Sequence, residues 1–176
     1  MSNNIWFISD THFNHDRDFI YVTRGFESVN EMNQILVEKW NSIIKPDDTV
    51  YHLGDLFLGD LEKGLKIVKS LHGHIHLTIG NHDTEMRLSA LKNIIDEIQF
   101  GYRMKFRKGC LLLSHYPQIT NNSDHFFTYS IHGHTHNPNI FCEFPLMYNV
   151  SCEAHNCNPI AYEDILFDIK EKAKNN

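Results

Sequence analysis

The sequence predicts an α/β sandwich with mixed sheets. Two observations carry that expectation. Short apolar runs alternate with amphipathic stretches in the first half of the chain, and strand-like runs then follow one another in the second half. A third observation, that the sequence has no linker, low-complexity tract or second apolar core, predicts one domain over residues 1–176.

The elements can be justified in order. "IWFIS" at 5–9 reads as a buried strand. Ser28 and Glu31 have the spacing of a capping box. The helix they open carries Met32, Ile35, Leu36, Trp40 and Ile43 on one face, and Pro46 ends it. "TVYHLG" at 49–54 is the next strand, and Asp60 is the expected N-cap of a helix from 61 to 71. "HIHLTIG" at 74–80 is a strand, and a short helix begins after Asp83. In "GYRMKFRKGCLLLSH" at 101–115 an alternating pattern gives way to an apolar run, which predicts two strands joined near Lys108 and Gly109. Arg103, Lys105, Arg107 and Lys108 would be the solvated face of the first of these. "FTYSIHG" at 127–133 and "LMYNVS" at 146–151 are further strands. A final helix runs from about Tyr162 to Lys172, with Ile165, Leu166 and Ile169 inward, and the charged tail frays.

Composition narrows the function. A chain of 176 residues, 41% hydrophobic and 22% charged, suits a globular domain with a sizeable core. The formal net charge of −6 argues against a nucleic-acid partner. No window approaches the roughly 18 apolar residues of a membrane span, and "MSNNIWFISD" has no signal-peptide pattern. Cys110, Cys142, Cys152 and Cys157 are scattered, so reduced thiols in a cytoplasmic protein are expected. Thirteen histidines is a high count, and histidine is the commonest metal ligand.

The position of the polar residues is more telling. "IWFIS" runs into "DTHFNH", "TVYHLG" into "DLF", "HIHLTIG" into "NHD", "CLLLS" into "HYP", and "FTYSIHG" into "HTH". Ligand sites in sheet-based α/β folds gather beyond the carboxyl ends of strands. Five loops that all deliver Asp, His or Asn there are hard to explain by packing. The near-identical pentapeptides "HGHIH" (72–76) and "HGHTH" (132–136) separate on the same ground. The last two histidines of the second follow their strand. Those of the first precede and run along theirs, and His76 lies five residues, about 16 Å of extended chain, from Asn81. Only the second pentapeptide should ligate, with His74 and His76 at the far edge of the sheet.

In chain order the series is Asp10-x-His12, Gly54-Asp55, Gly80-Asn81-His82-Asp83, His115 and Gly133-His134-x-His136. It resembles the calcineurin-like metallophosphoesterase superfamily, in particular its small, single-domain bacterial and phage branch. The resemblance spans residues 10 to 136, and "GNHD" with "GHTH" is its specific part. It implies a four-layer αββα sandwich of two mixed β-sheets flanked by helices. It also implies two divalent metal ions, manganese first among iron, zinc, nickel and cobalt. Asp10, His12 and His136 would hold one ion, and Asn81, His115 and His134 the other. Asp55 would bridge them, one oxygen to each. The ligand types suit such ions, and cysteine is missing from the set. The reaction implied is hydrolysis of a phosphodiester, or of a phosphomonoester, with a metal-bridging hydroxide as nucleophile and His82 as proton donor to the leaving oxygen. A small-molecule phosphoester is the expected partner. A nuclease of the same superfamily and a non-catalytic metal-binding scaffold are the alternatives.

The run "GDLFLGD" departs from the G-D-x-x-D-R-G of the protein-phosphatase branch, with Leu58 and Gly59 in place of its Asp and Arg. Some other group must then support His82. Asn14, His15 and Arg24 are candidate substrate contacts. The alternatives are a solvated loop residue for His15 and a surface arginine near a helix start for Arg24. Asp83 is expected to cap the following helix rather than orient a neighbour. Tyr116 and Pro117 would shape the loop carrying His115, and His52, His125, His132 and His155 receive no role.

Overall fold

A computed structural model of the chain describes residues 3–106, 109–120, 126–141 and 146–174. Arg107, Lys108, His125 and Cys142 lie outside the described residues. The expected α/β architecture holds, with two mixed sheets and helices. The first sheet is built from β1 (Ile5–Ile8), β2 (Thr49–His52), β3 (His74–Thr78) and β4 (Glu97–Gln99), all parallel. The second contains β5 (Tyr102–Phe106), β6 (Gly109–Leu113), β7 (Phe127–His132) and β8 (Met147–Asn149). Within it β5 runs antiparallel to β6, and β6, β7 and β8 run parallel. A last strand, β9 (Ile160–Ala161), pairs antiparallel with β1 and closes the edge of the first sheet.

The helices are α1 (Asp18–Tyr21), α2 (Val29–Ile43), α3 (Leu61–Val68), α4 (Glu85–Leu91) and α5 (Tyr162–Lys174). Alternation along β1 splits its side chains between two cores. Ile8 joins Met32, Leu36 and Trp40 of α2 with Val50, Ile75 and Leu77, while Phe7 joins Leu111, Leu113, Ile131 and Tyr148 of the second sheet with Ile165 and Ile169 of α5. Ser28 caps α2 by accepting from Glu31 N, but the Glu31 carboxylate reaches back to Glu27 N, one residue before the partner a capping box provides. Asp60 caps α3 as expected, accepting from Lys63 N at 2.9 Å. Arg103 and Lys105 are exposed on β5. Cys110, Cys152 and Cys157 are free and buried. Three elements had no sequence expectation, α1, β4 and β9, because four, three and two residues are too few to show a period. Among the described residues no helix is long and apolar enough to cross a membrane.

The topology fixes one rim. Five parallel strands, β1 to β3 in one sheet and β6 and β7 in the other, deliver their carboxyl-end loops to it. Ser9 and Ser151 form a parallel bridge just past β1 and β8, with Ser9 N donating to Val150 O (3.0 Å) and Cys152 N to Ser9 O (3.2 Å). The sheets are stitched together there.

Candidate metal centre

The backbone at this rim is strained. Past β1, Asp10 N donates to Gly54 O at 3.0 Å and His12 N to Asp55 O at 3.1 Å, so the loops after β1 and β2 run side by side. Asp10, His12, Asp55, His134 and His136 all have φ between 48° and 67°, the left-handed region. Asp, Asn and His tolerate that region better than other non-glycine residues, yet each instance costs on the order of 1–3 kcal/mol. Such strain clusters where function needs it. Two glycines let the loops close up. A Cβ on Gly80 would lie 2.3 Å from Asp55 Oδ1, and one on Gly133 would lie 2.2 Å from Asp10 Oδ2.

The five loops bring all seven candidate ligands together. His12 Nε2 is 3.2 Å from His136 Nε2, and Asp10 Oδ1 is 3.9 Å and 3.7 Å from those two nitrogens. Beside this group, Asn81 Oδ1 is 2.8 Å from His115 Nε2 and 2.9 Å from His134 Nδ1, and the two nitrogens are 3.2 Å apart. Asp55 Oδ2 lies between the groups, 3.7 Å from His12 Nε2 and 3.6 Å from His115 Nε2. Asp55 Oδ1 already accepts the His82 N–H at 2.8 Å. One oxygen therefore faces both groups, where the sequence reading gave each ion its own. Asp10, Asp55 and His115 form a further mutually close set, so the two groups share an acidic middle. Asp10, His12, Asp55 and His115 are buried, whereas Asn81 and His134 are exposed at the open side.

The donor set fits cations. Asp10 Oδ2 accepts from His134 N, but its buried Oδ1 has no hydrogen-bond partner among the described residues. His115 Nδ1 sits 2.9 Å from Leu53 O, an atom that only accepts, so the proton is on Nδ1 and the Nε2 lone pair points at the centre. His136 Nδ1 faces Glu153 Oε1 at 3.1 Å with the same consequence. At His115 and His136 a lone pair thus faces the centre, an arrangement suited to a cation. Burial and neighbouring charges shift the titrating groups. Burial pushes the Asp10 carboxyl up to about 6 in spite of His115 and His136. Burial and then Arg24 keep the His12 imidazole neutral, and burial lowers His134. The hydrogen bond that His136 donates to the Glu153 carboxylate raises His136.

Several residues support the ligands, and three sequence expectations are corrected. Asp83 does not cap α4, whose N-cap is Thr84. Its carboxylate accepts from Asp55 N (2.8 Å), Leu56 N (3.2 Å) and Gly80 N (2.9 Å), tying the loops after β2 and β3 together. Arg24 is neither on the surface nor free for a phosphate. Its guanidinium donates to Glu153 Oε1 (2.7 Å), Asp10 O (2.6 Å) and Thr11 O (2.9 Å), and its side chain is 3% exposed. The amide of Asn14 is turned to the carbonyls of Leu58 and Asp60, away from a substrate role. His15 does line a cavity, together with His12, His82 and His136. Tyr116 packs its ring edge on His115 and His134, at 5.0 and 4.6 Å between centroids.

His82 is held through its backbone. Its N–H bonds Asp55 and its carbonyl accepts from Arg87 Nη1 at 3.2 Å. Its half-exposed imidazole lies with Nε2 4.0 Å from Asp55 Oδ2. Glu153 had no place in the sequence reading. A signal existed, since "LMYNVS" ends in "CEAHNC" and is a sixth strand whose carboxyl end reaches the rim. For Glu153, burial opposes ionisation, but the bonds from His136 and Arg24 prevail and hold its carboxyl at about 2. The first pentapeptide stays outside the site, with His74 paired to Asp96 (2.9 Å) and His76 to Glu97 (3.1 Å). His52 bonds Thr11, His132 bonds Gly133 O and His155 bonds Asn149 O.

Comparison with known proteins follows the same line. A family profile described as "Calcineurin-like phosphoesterase superfamily domain" matches residues 4–150. An uncharacterised protein of Methanocaldococcus jannaschii is 34% identical, covering 97% of this chain and 93% of its own length. The gene 66 protein of Mycobacterium phage L5 is 26% identical, covering 78% of this chain and 80% of its own length. Among solved structures, the protein of unknown function AQ665 from Aquifex aeolicus superposes with a TM-score of 0.72 at 28% identity, covering 93% of this chain and 98% of that one.

Proposed function

The chain belongs to the calcineurin-like phosphoesterase superfamily, a metal-dependent family, and from that premise we propose that it hydrolyses phosphodiesters at a two-metal centre. One observation carries the reading: two groups of three ligand atoms flank a single carboxylate oxygen, Asp55 Oδ2. Asp10, His12 and His136 would hold one divalent ion and Asn81, His115 and His134 the other, with manganese as the first candidate. Bound there, the ions supply Lewis-acid polarisation of the phosphoryl group and a water acidic enough to ionise near neutral pH.

The chain's own residues do the rest. The fixed Nδ1 protons of His115 and His136 keep their Nε2 lone pairs inward. The αL loops and the glycine approaches hold the ligands without further movement, so little reorganisation is left for the reaction. His82 stands at the edge with its half-exposed imidazole 4.0 Å from Asp55 Oδ2, placed to give a proton to the departing oxygen. A water that has given one proton to solvent bonds phosphorus through its oxygen as the ester P–O bond breaks, the alcohol leaves with the proton from His82, and solvent returns a proton to the imidazole.

The test is direct. Protein stripped with chelator and restored with manganese should cleave bis(4-nitrophenyl) phosphate faster than 4-nitrophenyl phosphate, with two ions per chain by elemental analysis. No turnover of either ester with manganese, iron, cobalt, nickel or zinc would overturn the hydrolase reading. One ion per chain at full activity would overturn the two-metal centre.

A further inference from the structure

A cavity of about 750 Å³ opens beside the centre, and it is one-sided. His12, His15, His82 and His136 form its inner wall. Phe19, Ile20, Thr23 and Pro138 contribute to its outer wall. None of Asn81, His115 and His134 lines it, so it extends from the Asp10 group alone. His82 faces into it. Under the phosphodiesterase reading, on which this inference rests, the group that His82 protonates is the one lodged there. The cavity is the leaving-group side.

The wall says what that group is. Arg24 lines the cavity, but its donors are spent on Glu153 and the carbonyls of Asp10 and Thr11. Arg17 lines a separate cavity that shares only His15 with this one. A leaving group that carried its own negative charge would therefore find the lining guanidinium already paired with Glu153. The apolar side is better provided. Phe19 is 66% exposed, and the His15 ring stands edge-on to it at 5.7 Å. An exposed aromatic face beside a pocket is a platform for a flat ring. The volume is in the range of small-molecule sites and accommodates a ring with a sugar-sized substituent.

We propose that the cavity receives the uncharged, flat leaving group of the diester, an aromatic alcohol up to nucleoside size, with Phe19 as the surface on which it stacks. The retained ester group and the phosphate it becomes face the open side, where Asn81 and His134 are exposed.

The experiment is a calorimetric titration of the manganese-loaded protein with phosphonates, which are not hydrolysed. Benzylphosphonate places a ring where the leaving group would sit, ethylphosphonate does not, and 3-phosphonopropionate carries a second negative charge there. Benzylphosphonate should bind about tenfold more tightly than ethylphosphonate, as one added ring contact allows. The charged ligand should bind no better than ethylphosphonate. Phe19→Ala should shrink the benzyl preference to about threefold or less, Phe19→Trp should retain it, and Phe167→Ala, at an exposed ring on α5 that does not line the cavity, should leave it unchanged. Equal affinity of the benzyl and ethyl ligands, an unaltered preference in Phe19→Ala, or tightest binding of the phosphonopropionate would each overturn the proposal. Because binding is read without turnover, the two readings fail separately. A benzyl preference in a protein that cleaves no ester keeps the pocket and removes the hydrolase. Cleavage without the preference does the reverse.

Discussion

At the scale of single residues, the centre works by giving each polar atom one task. Asp55 bonds the His82 N–H with one oxygen and faces the imidazoles with the other. Asp10 divides its oxygens in the same way. His82 is fixed at its backbone and its half-exposed ring is not one of the candidate ligands, so its side chain can be removed without unmaking the ligand set. We expect His82→Ala to keep both ions by elemental analysis and to lose roughly 10²-fold or more in kcat. Glu153 is the opposite case, a residue that acts through another. It orients His136 and is itself held by Arg24. Glu153→Gln should weaken the affinity for one ion of the two by about tenfold or more, measured by titration of the metal-free protein, because the imidazole loses its anionic partner. Equal weakening of both ions would contradict the assignment of His136 to one group.

At the scale of elements, the loops matter more than the strands that carry them. Asp83 binds three backbone N–H groups from two loops, all of them buried with it. Asp83→Ala strands those donors and should cost about 3 kcal/mol or more in urea unfolding of the metal-free protein. Thr84→Ala, at the formal N-cap, should cost less than about 0.5 kcal/mol, because its side chain makes no capping bond. If the two variants lost similar stability, the tie between the loops would not be what Asp83 provides. Helix and strand positions were largely legible, since α2 has a period and β6 an apolar run long enough to read. The capping box at Ser28 was legible only in half, because its reciprocal bond slid to Glu27, a shift that spacing does not encode.

At the scale of the molecule, buried histidines make the stability depend on pH. His52 stacks on Trp40 and lies 3.0 Å from Thr11 Oγ1, and burial lowers it from 6.5 to about 3. The unfolded chain takes up a proton near pH 6.5 and the folded one does not. Its contribution is therefore complete above that pH and falls away as the solution is acidified toward pH 3, by up to about 1.4 kcal/mol per pH unit. His155 is lowered by burial as well. Urea midpoints of the metal-free protein should drop between pH 7 and pH 5, and His52→Gln should make the drop shallower. An identical slope in that variant would place the dependence elsewhere. The sequence by itself placed most of the strands along the chain and the polar loops at their carboxyl ends, because apolar runs and the residues that follow them are local properties of the chain; the seven candidate ligands within those loops were picked out by the family resemblance. The sequence also separated the two histidine pentapeptides on those local grounds. Only the tertiary structure decided that Arg24 serves Glu153 across 129 residues, that Asp83 joins loops 27 and 28 residues apart, and that one oxygen of Asp55 faces both groups. Those are hydrogen bonds and distances between segments far apart in the chain that meet only in the folded molecule, and no pattern within either segment foretells its partner.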